Sequence, residues 1–273
     1  MPTNANFIQE RISGEILRQL RMRLVTQSIV NRNYEGEIDS PEDNVRILSL
    51  KNLTVKDYSK GTAMTVETDL QSDKAVLSME HKKYFAFIAD ETDNAAQVAE
   101  LFSQEGVQDL LKAAQTYVLG KYGDAGSFVE YDPDTDQIEG AVGAARSALD
   151  NNSVPDEGRF LVVDPDTFGA IEDDISNRET AFGDDVLRVG FQGMYKGFEV
   201  YKAPSSHFTT TGTTDEVLHA LAGSRLATTY ADAILSVRVN PSLAYRGDQV
   251  DGLHVGGAKV VRPEALIDFR IAQ

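Results

Sequence analysis

Residues 45–122 constrain this chain more than any other stretch, because a long hairpin pattern there runs into one unusually long helix pattern. Two extended runs, 53–58 and 62–70, flank the turn signal Ser59-Lys60-Gly61-Thr62. In the second run Met64, Val66, Thr68 and Leu70 share one face, while Thr65, Glu67 and Asp69 point the other way. Such a strand has an apolar face and a polar back. A third extended run, 76–89, leads into a helix expected over about 95–121. A helix of that length spans about 40 Å, beyond the usual length in globular proteins. Nothing in the stretch looks catalytic. A long hairpin needs a surface to lie against, so the pattern points to an arm for a neighbouring molecule and to a protein that works by assembling.

The helix pattern opens at Asn94 with Gln97 three residues on, a capping-box spacing. Val98, Phe102, Leu110, Ala114 and Val118 recur every four residues, and Gly106 falls in the same stripe, marking a kink or a close crossing. Gly120 and Gly123 are expected to stop the helix. Upstream, Ile8, Ile12, Ile16, Leu20 and Leu24 give residues 7–24 an amphipathic helix pattern, joined by Phe7 and Leu17. That helix packs on its own core or docks on another subunit. Residues 33–44 read as a polar linker.

The texture from about 127 to 223 is α/β. Residues 137–149 and 165–174 read as helices, and 159–163, 197–202 and 217–222 as strands. Residues 176–196 and the Thr-rich 207–214 read as loops. The last part returns to extended structure, with alternation over 234–239, a strand over 253–261, a turn at Pro263-Glu264-Ala265, and Ile267, Phe269 and Ile271 alternating with Asp268 and Arg270.

Charge narrows the function. The net charge is −17, from 43 acidic and 26 basic residues. That argues against a general nucleic-acid-binding surface, which needs Lys and Arg for phosphate. Residues 1–34 reverse the trend, with Arg11, Arg18, Arg21, Arg23 and Arg32 against Glu10 and Glu15, net +3. A basic arm on an acidic body can meet a neighbour's acidic surface or face nucleic acid. There are no cysteines, which excludes disulfides and thiolate chemistry. Apolar runs such as Phe160-Leu161-Val162-Val163 fall far short of a membrane span, and the N-terminus has no signal-peptide pattern.

Chemical motifs are weak. Asp132, Asp134 and Asp136 alternate as in a calcium loop, but an EF-hand needs Gly and Glu where this chain has Gln137 and Gly143. The expected role is a loop in which Asp136 caps the next helix. His81, His207, His219 and His254 are scattered, with no helical i, i+4 pair. Neither Gly190-Phe191-Gln192-Gly193 nor Gly252 to Gly257 has the order of a nucleotide-binding turn, and no nucleophile elbow is present. The sequence therefore names no catalytic residue, no metal ligand and no cofactor.

The order of parts carries more information than any single residue. A basic arm, a long hairpin, a strand, a long helix, an inserted α/β lobe and a return to strands follow one another. Asn152-Ser153-Val154-Pro155 precedes Arg159-Phe160-Leu161-Val162-Val163-Asp164-Pro165, and Tyr195-Lys196-Gly197-Phe198-Glu199-Val200-Tyr201 leads into a loop. The run 251–266 closes the pattern with Asp251-Gly252-Leu253-His254-Val255-Gly256-Gly257. This arrangement resembles the major capsid proteins of tailed double-stranded DNA viruses, the HK97-like fold. The resemblance covers nearly the whole chain through loose motifs.

It implies an α+β fold: an N-terminal arm over 1–40, an E-loop hairpin over 41–75, and a peripheral (P) domain over 76–131 and 224–273. A spine helix runs over about 94–122, and an axial (A) domain is inserted over 132–223. It implies hexamers and pentamers closing an icosahedral shell around double-stranded DNA without sequence-specific binding. It also implies a scaffolding protein, a portal protein and room for a decoration protein, no membrane, and a virion capsid assembled in the host cytoplasm. Because 1–40 is short, the scaffold is expected to be a separate protein. Inter-subunit contacts are expected from Arg18, Arg21, Arg23, Lys56, Lys60, Met64 and Val66. Some members form Lys–Asn crosslinks. Lys51, Lys56 and Lys60 lie along the proposed loop, yet no pattern identifies an Asn partner or a catalytic Glu, so no crosslink is expected. Two other readings stay open: an encapsulin-like compartment shell of the same fold, and an acidic α/β hydrolase, which leaves the hairpin and basic arm without a role.

Overall fold

In a computed structural model, the structure describes residues 28–33, 44–50, 57, 60, 72–90, 95–176, 193–213, 216–242 and 247–273. The helix pattern at 7–24, the hairpin strands on either side of residue 60 and the cap at Asn94 lie outside them.

Strand β1 (Asn44–Leu50) pairs antiparallel with β2 (Ser72–Ser78), from Asn44 opposite Ser78 to Leu50 opposite Ser72. The extended pattern expected over 76–89 is broken at Met79 and Glu80. Only the part before the break belongs to β2, and β3 (His81–Asp90) joins a different sheet. Met79 turns inward, and with Ile47, Leu77, Ala231 and Val255 it forms a small apolar cluster. That cluster fixes the β1–β2 ladder to the rest of the body.

Helix α1 (Ala95–Leu119) continues as a 3-10 turn over Gly120–Asp124. The two glycines thus tighten the helix instead of ending it at once. Its spacing-four stripe is the buried face: Leu110, Ala114 and Val118 are buried, together with Val107 and Leu119. Gly106 marks a close crossing. A Cβ there would lie 3.0 Å from the Phe85 ring of β3.

That crossing packs α1 on a three-stranded antiparallel sheet. Its long strands are β10 (Thr228–Pro241) and β11 (Gly247–Val260), in the order β10-β11-β3. Phe85 sits opposite Gly252 in the ladder, and a Cβ on Gly252 would come within 2.5 Å of its ring. Two glycines, one from the helix and one from the sheet, thus make the slot for one aromatic side chain. The register shifts between Ile234 and Ser236, a bulge in what reads as a plain alternating strand.

A seven-stranded mixed sheet forms the other unit. Its order is β4 (Ser127–Tyr131), β12 (Leu266–Ala272), β9 (Val217–Ser224), β5 (Arg159–Val163), β7 (Phe198–Lys202) and β6 (Met194–Tyr195). Strand β8 (Thr209–Thr211) pairs with β9. The Thr-rich stretch expected as a loop is therefore a short strand from 209 to 211. β5 is buried at all five positions because it lies between β9 and β7, which explains its unbroken apolar run. α2 (Ile138–Asn151) and α3 (Pro165–Ser176) fall where the periodicity places them. Lys196 and Gly197, both at positive φ (48° and 88°), close the β6–β7 hairpin. The sheet draws β4 and β12 from outside 132–223, so its hydrogen bonding is wider than the α/β texture of the sequence.

The chain approaches this body along β10. Asn31 bridges to Thr229 in parallel, Ile29 and Val30 are buried in the core, and Arg32 pairs with Asp232. One arginine of the basic N-terminal stretch is thus engaged within its own chain.

Candidate functional site

Two features are candidates: the β1–β2 ladder and a cavity at one end of the seven-stranded sheet.

The ladder runs as far as Leu50 opposite Ser72. Both ends of the register are symmetric about residue 61, inside the turn signal at 59–62. Of the expected contact residues, Lys60 is described only as an exposed turn residue. Arg18, Arg21, Arg23, Lys56, Met64 and Val66 lie outside the described residues. Beside the ladder, β3 is an edge strand whose outward positions include Tyr84 (76% exposed) and Ile88 (42%).

The cavity, of about 700 Å³, is lined by Glu130, Asp132, Asp136, Thr211, His219 and Arg270, among others. His219 on β9 and Asp268 on β12 are both buried and meet across the antiparallel pair, with His219 Nδ1 2.9 and 3.0 Å from the two carboxylate oxygens. The far nitrogen, Nε2, lies 2.8 Å from Oγ1 of Thr211 on β8. Tyr122, from the turn after α1, stacks on the His219 ring at 4.0 Å. Arg270 donates from Nε to Asp268 Oδ2 at 2.8 Å and lies 4.0 Å above the Phe128 ring.

The order hydroxyl, imidazole, carboxylate is that of an activated nucleophile. Here each member stands on a different element, and the carboxylate is shared with an arginine. The arrangement ties β8, β9, β12 and the end of α1 together at one point. In the sequence the histidines are scattered, and nothing there brings His219, Asp268 and Thr211 together. Its only linear signal is a polar residue interrupting each of two apolar strands, 49 residues apart.

The aspartate loop closes on itself. Asp134 N–H donates to Asp132 Oδ1 at 3.0 Å and Asp132 N–H to Asp136 Oδ2 at 3.2 Å. The residue capping α2 is Gln137, with no side-chain cap bond, so Asp136 does not cap the helix. Asp136 instead holds the Asx-type turn before it. Among the described residues no group of three or more His, Asp or Glu is placed to hold a metal ion. No described helix is long and apolar enough to cross a membrane.

No protein-family model matches the chain, and no curated protein matches it. Solved structures do. A chain described as Mycobacterium phage Che8 superposes with a TM-score of 0.76 at 24% identity, covering 90% of this chain and 91% of that one. A chain from the capsid structure of the cyanophage P-SCSP1u gives 0.62 at 16% identity, covering 84% of each. One from the asymmetric unit of the bacteriophage PhiM1 mature capsid gives 0.62 at 17%, covering 84% and 82%. The chain has the fold of phage major capsid proteins.

Proposed function

We propose that this protein is a major capsid protein whose copies form hexamers and pentamers and close an icosahedral shell around double-stranded DNA. The observation that carries the reading is the likeness of most of the chain to chains of phage capsid structures, together with a β1–β2 ladder whose register is centred on residue 61. In this reading the ladder continues into the hairpin of residues 53–58 and 62–70. The apolar face of Met64 and Val66 lies on a neighbouring subunit, where it gains burial and strand pairing. Many such weak contacts repeated around a closed surface stabilise the shell.

The HK97-type division follows: arm 1–40, E-loop 41–75, P-domain 76–131 and 224–273 with its spine helix, A-domain 132–223. Arg18, Arg21, Arg23, Lys56 and Lys60 supply basic contacts to acidic neighbours. With a net charge of −17, the shell holds packaged DNA without binding its sequence. Self-assembly, a scaffolding protein, a portal, a site in the virion capsid and assembly in the host cytoplasm belong to the same proposal. The role is structural, not enzymatic.

Replacing Met64 and Val66 together by Asp tests it. The double variant is expected to fold with the thermal stability of the wild-type subunit and to sediment only as a subunit. Assembly of the variant at wild-type yield would overturn the hairpin contact.

A further inference from the structure

Two histidines face each other beneath α1. His81 opens β3 opposite Gly256, and His254 lies two residues from that position on the same face of β11. Their ring centroids are 6.1 Å apart, edge to face. Tyr117 of α1 covers His81 at 4.6 Å. His254 is fully buried and His81 nearly so. Neither nitrogen of His254, nor Nε2 of His81, nor the Tyr117 hydroxyl has a hydrogen-bond partner among the described residues.

The charged and titratable groups around the pair come from every packed element. Lys83 on β3 stands opposite His254 in the ladder. From α1 come Tyr117 and, through the following turn, Lys121, whose Nζ lies 4.6 Å over the Tyr117 ring. Tyr230 of β10 borders the spot at Gly256 that His254 also borders. Glu80, next to His81, is exposed and accepts the Ser78 hydroxyl at 2.6 Å. Asp232 of β10 stands opposite Gly256, on the same face as the two rings and diagonal to His254, but its carboxylate is already paired with Arg32. Among the described residues, a proton arriving here finds no unpaired carboxylate bonded to either ring.

We propose that the His81–His254 pair is an acid-sensitive joint between α1 and the three-stranded sheet, closed while both rings are neutral and opened when they are protonated.

Burial holds both rings below the ordinary histidine value of 6.5, to about 4, and for His81 the neighbouring His254 and Lys83 add to the effect. The sign follows. An opened joint takes up protons near 6.5 and the closed joint only near 4. Stability of the closed form is therefore full above 6.5, falls as the pH drops from 6.5 to 4, and levels off below. One ring alone shifts the open-to-closed ratio by roughly 100-fold across that window.

Hydrogen exchange of the full-length unassembled protein, corrected for intrinsic rates, tests this between pH 7 and 4. Protection of α1 residues 106–119 is compared with that of α2, which packs on the other sheet. The wild type is expected to lose at least roughly 100-fold of α1 protection relative to α2. Two variants that do not titrate here, H81L/H254L and H81Q/H254Q, are expected to keep the α1-to-α2 ratio constant. Either variant suffices if the other fails to fold. A wild-type ratio that stays constant, or one that falls equally in the variants, would overturn the proposal.

Discussion

Asp268→Asn tests the buried junction at the end of the seven-stranded sheet. Asp268 is 4% exposed and accepts from His219 Nδ1 at 2.9 Å and from Arg270 Nε at 2.8 Å. Asparagine keeps the shape but removes the charge, and it presents an amide donor to one of two groups that also donate. One charge-assisted bond is lost and the other becomes a neutral bond. At about 1.5–3 kcal/mol for a bond to a charged group and about 1 for a neutral one, the loss comes to about 3 kcal/mol. That matches the lower end for breaking a buried pair. In a chain of this size it lowers the melting temperature by about 6–12 °C. Calorimetry at pH 7 on unassembled subunits is the assay, because assembly would add its own stabilisation. Thr211→Val is the companion: that hydroxyl is at the exposed end of the relay, and its loss is expected to cost about 1 kcal/mol or less. A shift under about 2 °C for Asp268→Asn would show that solvent replaces the contacts and that the relay does not hold the strands together.

Two further outcomes follow from packing. Gly252→Ala puts a methyl group into the Phe85 ring, and the overpacked slot is expected to cost about 1–3 kcal/mol, read as a lowered denaturation midpoint. Phe85→Leu in the same chain should recover part of that loss. Arg159→Met removes a 3% exposed guanidinium that pairs with Asp150 at 2.7 Å and donates to the Pro155 carbonyl at 3.0 Å, so a loss of about 3 kcal/mol is expected, whereas Glu199→Gln in the half-exposed pair with Arg225 should change stability by less than about 1.

What the sequence made legible is what depends on local periodicity. The stripe through Leu110, Ala114 and Val118 and the apolar run of β5 reflect one buried face and one central position, and both elements lie near the bounds their patterns predict. Gly106 stood out because a residue without a side chain in an apolar stripe has a packing reason, and Phe85 supplies it. What stayed hidden depends on pairing between distant strands. Nothing near Met79 announces that the strand breaks there and its halves join different sheets. Asp268 reads as the polar face of a half-exposed strand, yet β12 is interior, between β4 and β9, and the carboxylate is buried against His219. His81 and His254 come together only through a ladder that spans most of the chain. The Thr209–Thr211 strand forms because β9 offers it an edge, despite loop-like composition.

Sedimentation velocity of the purified protein across low and high salt, with electron microscopy of the fast fraction, tests the central claim most directly. The proposed function predicts closed, icosahedral particles that sediment far ahead of the subunit once salt or a scaffold permits assembly. A subunit that remains a slow monomer in every salt condition, with and without scaffolding protein, would contradict it.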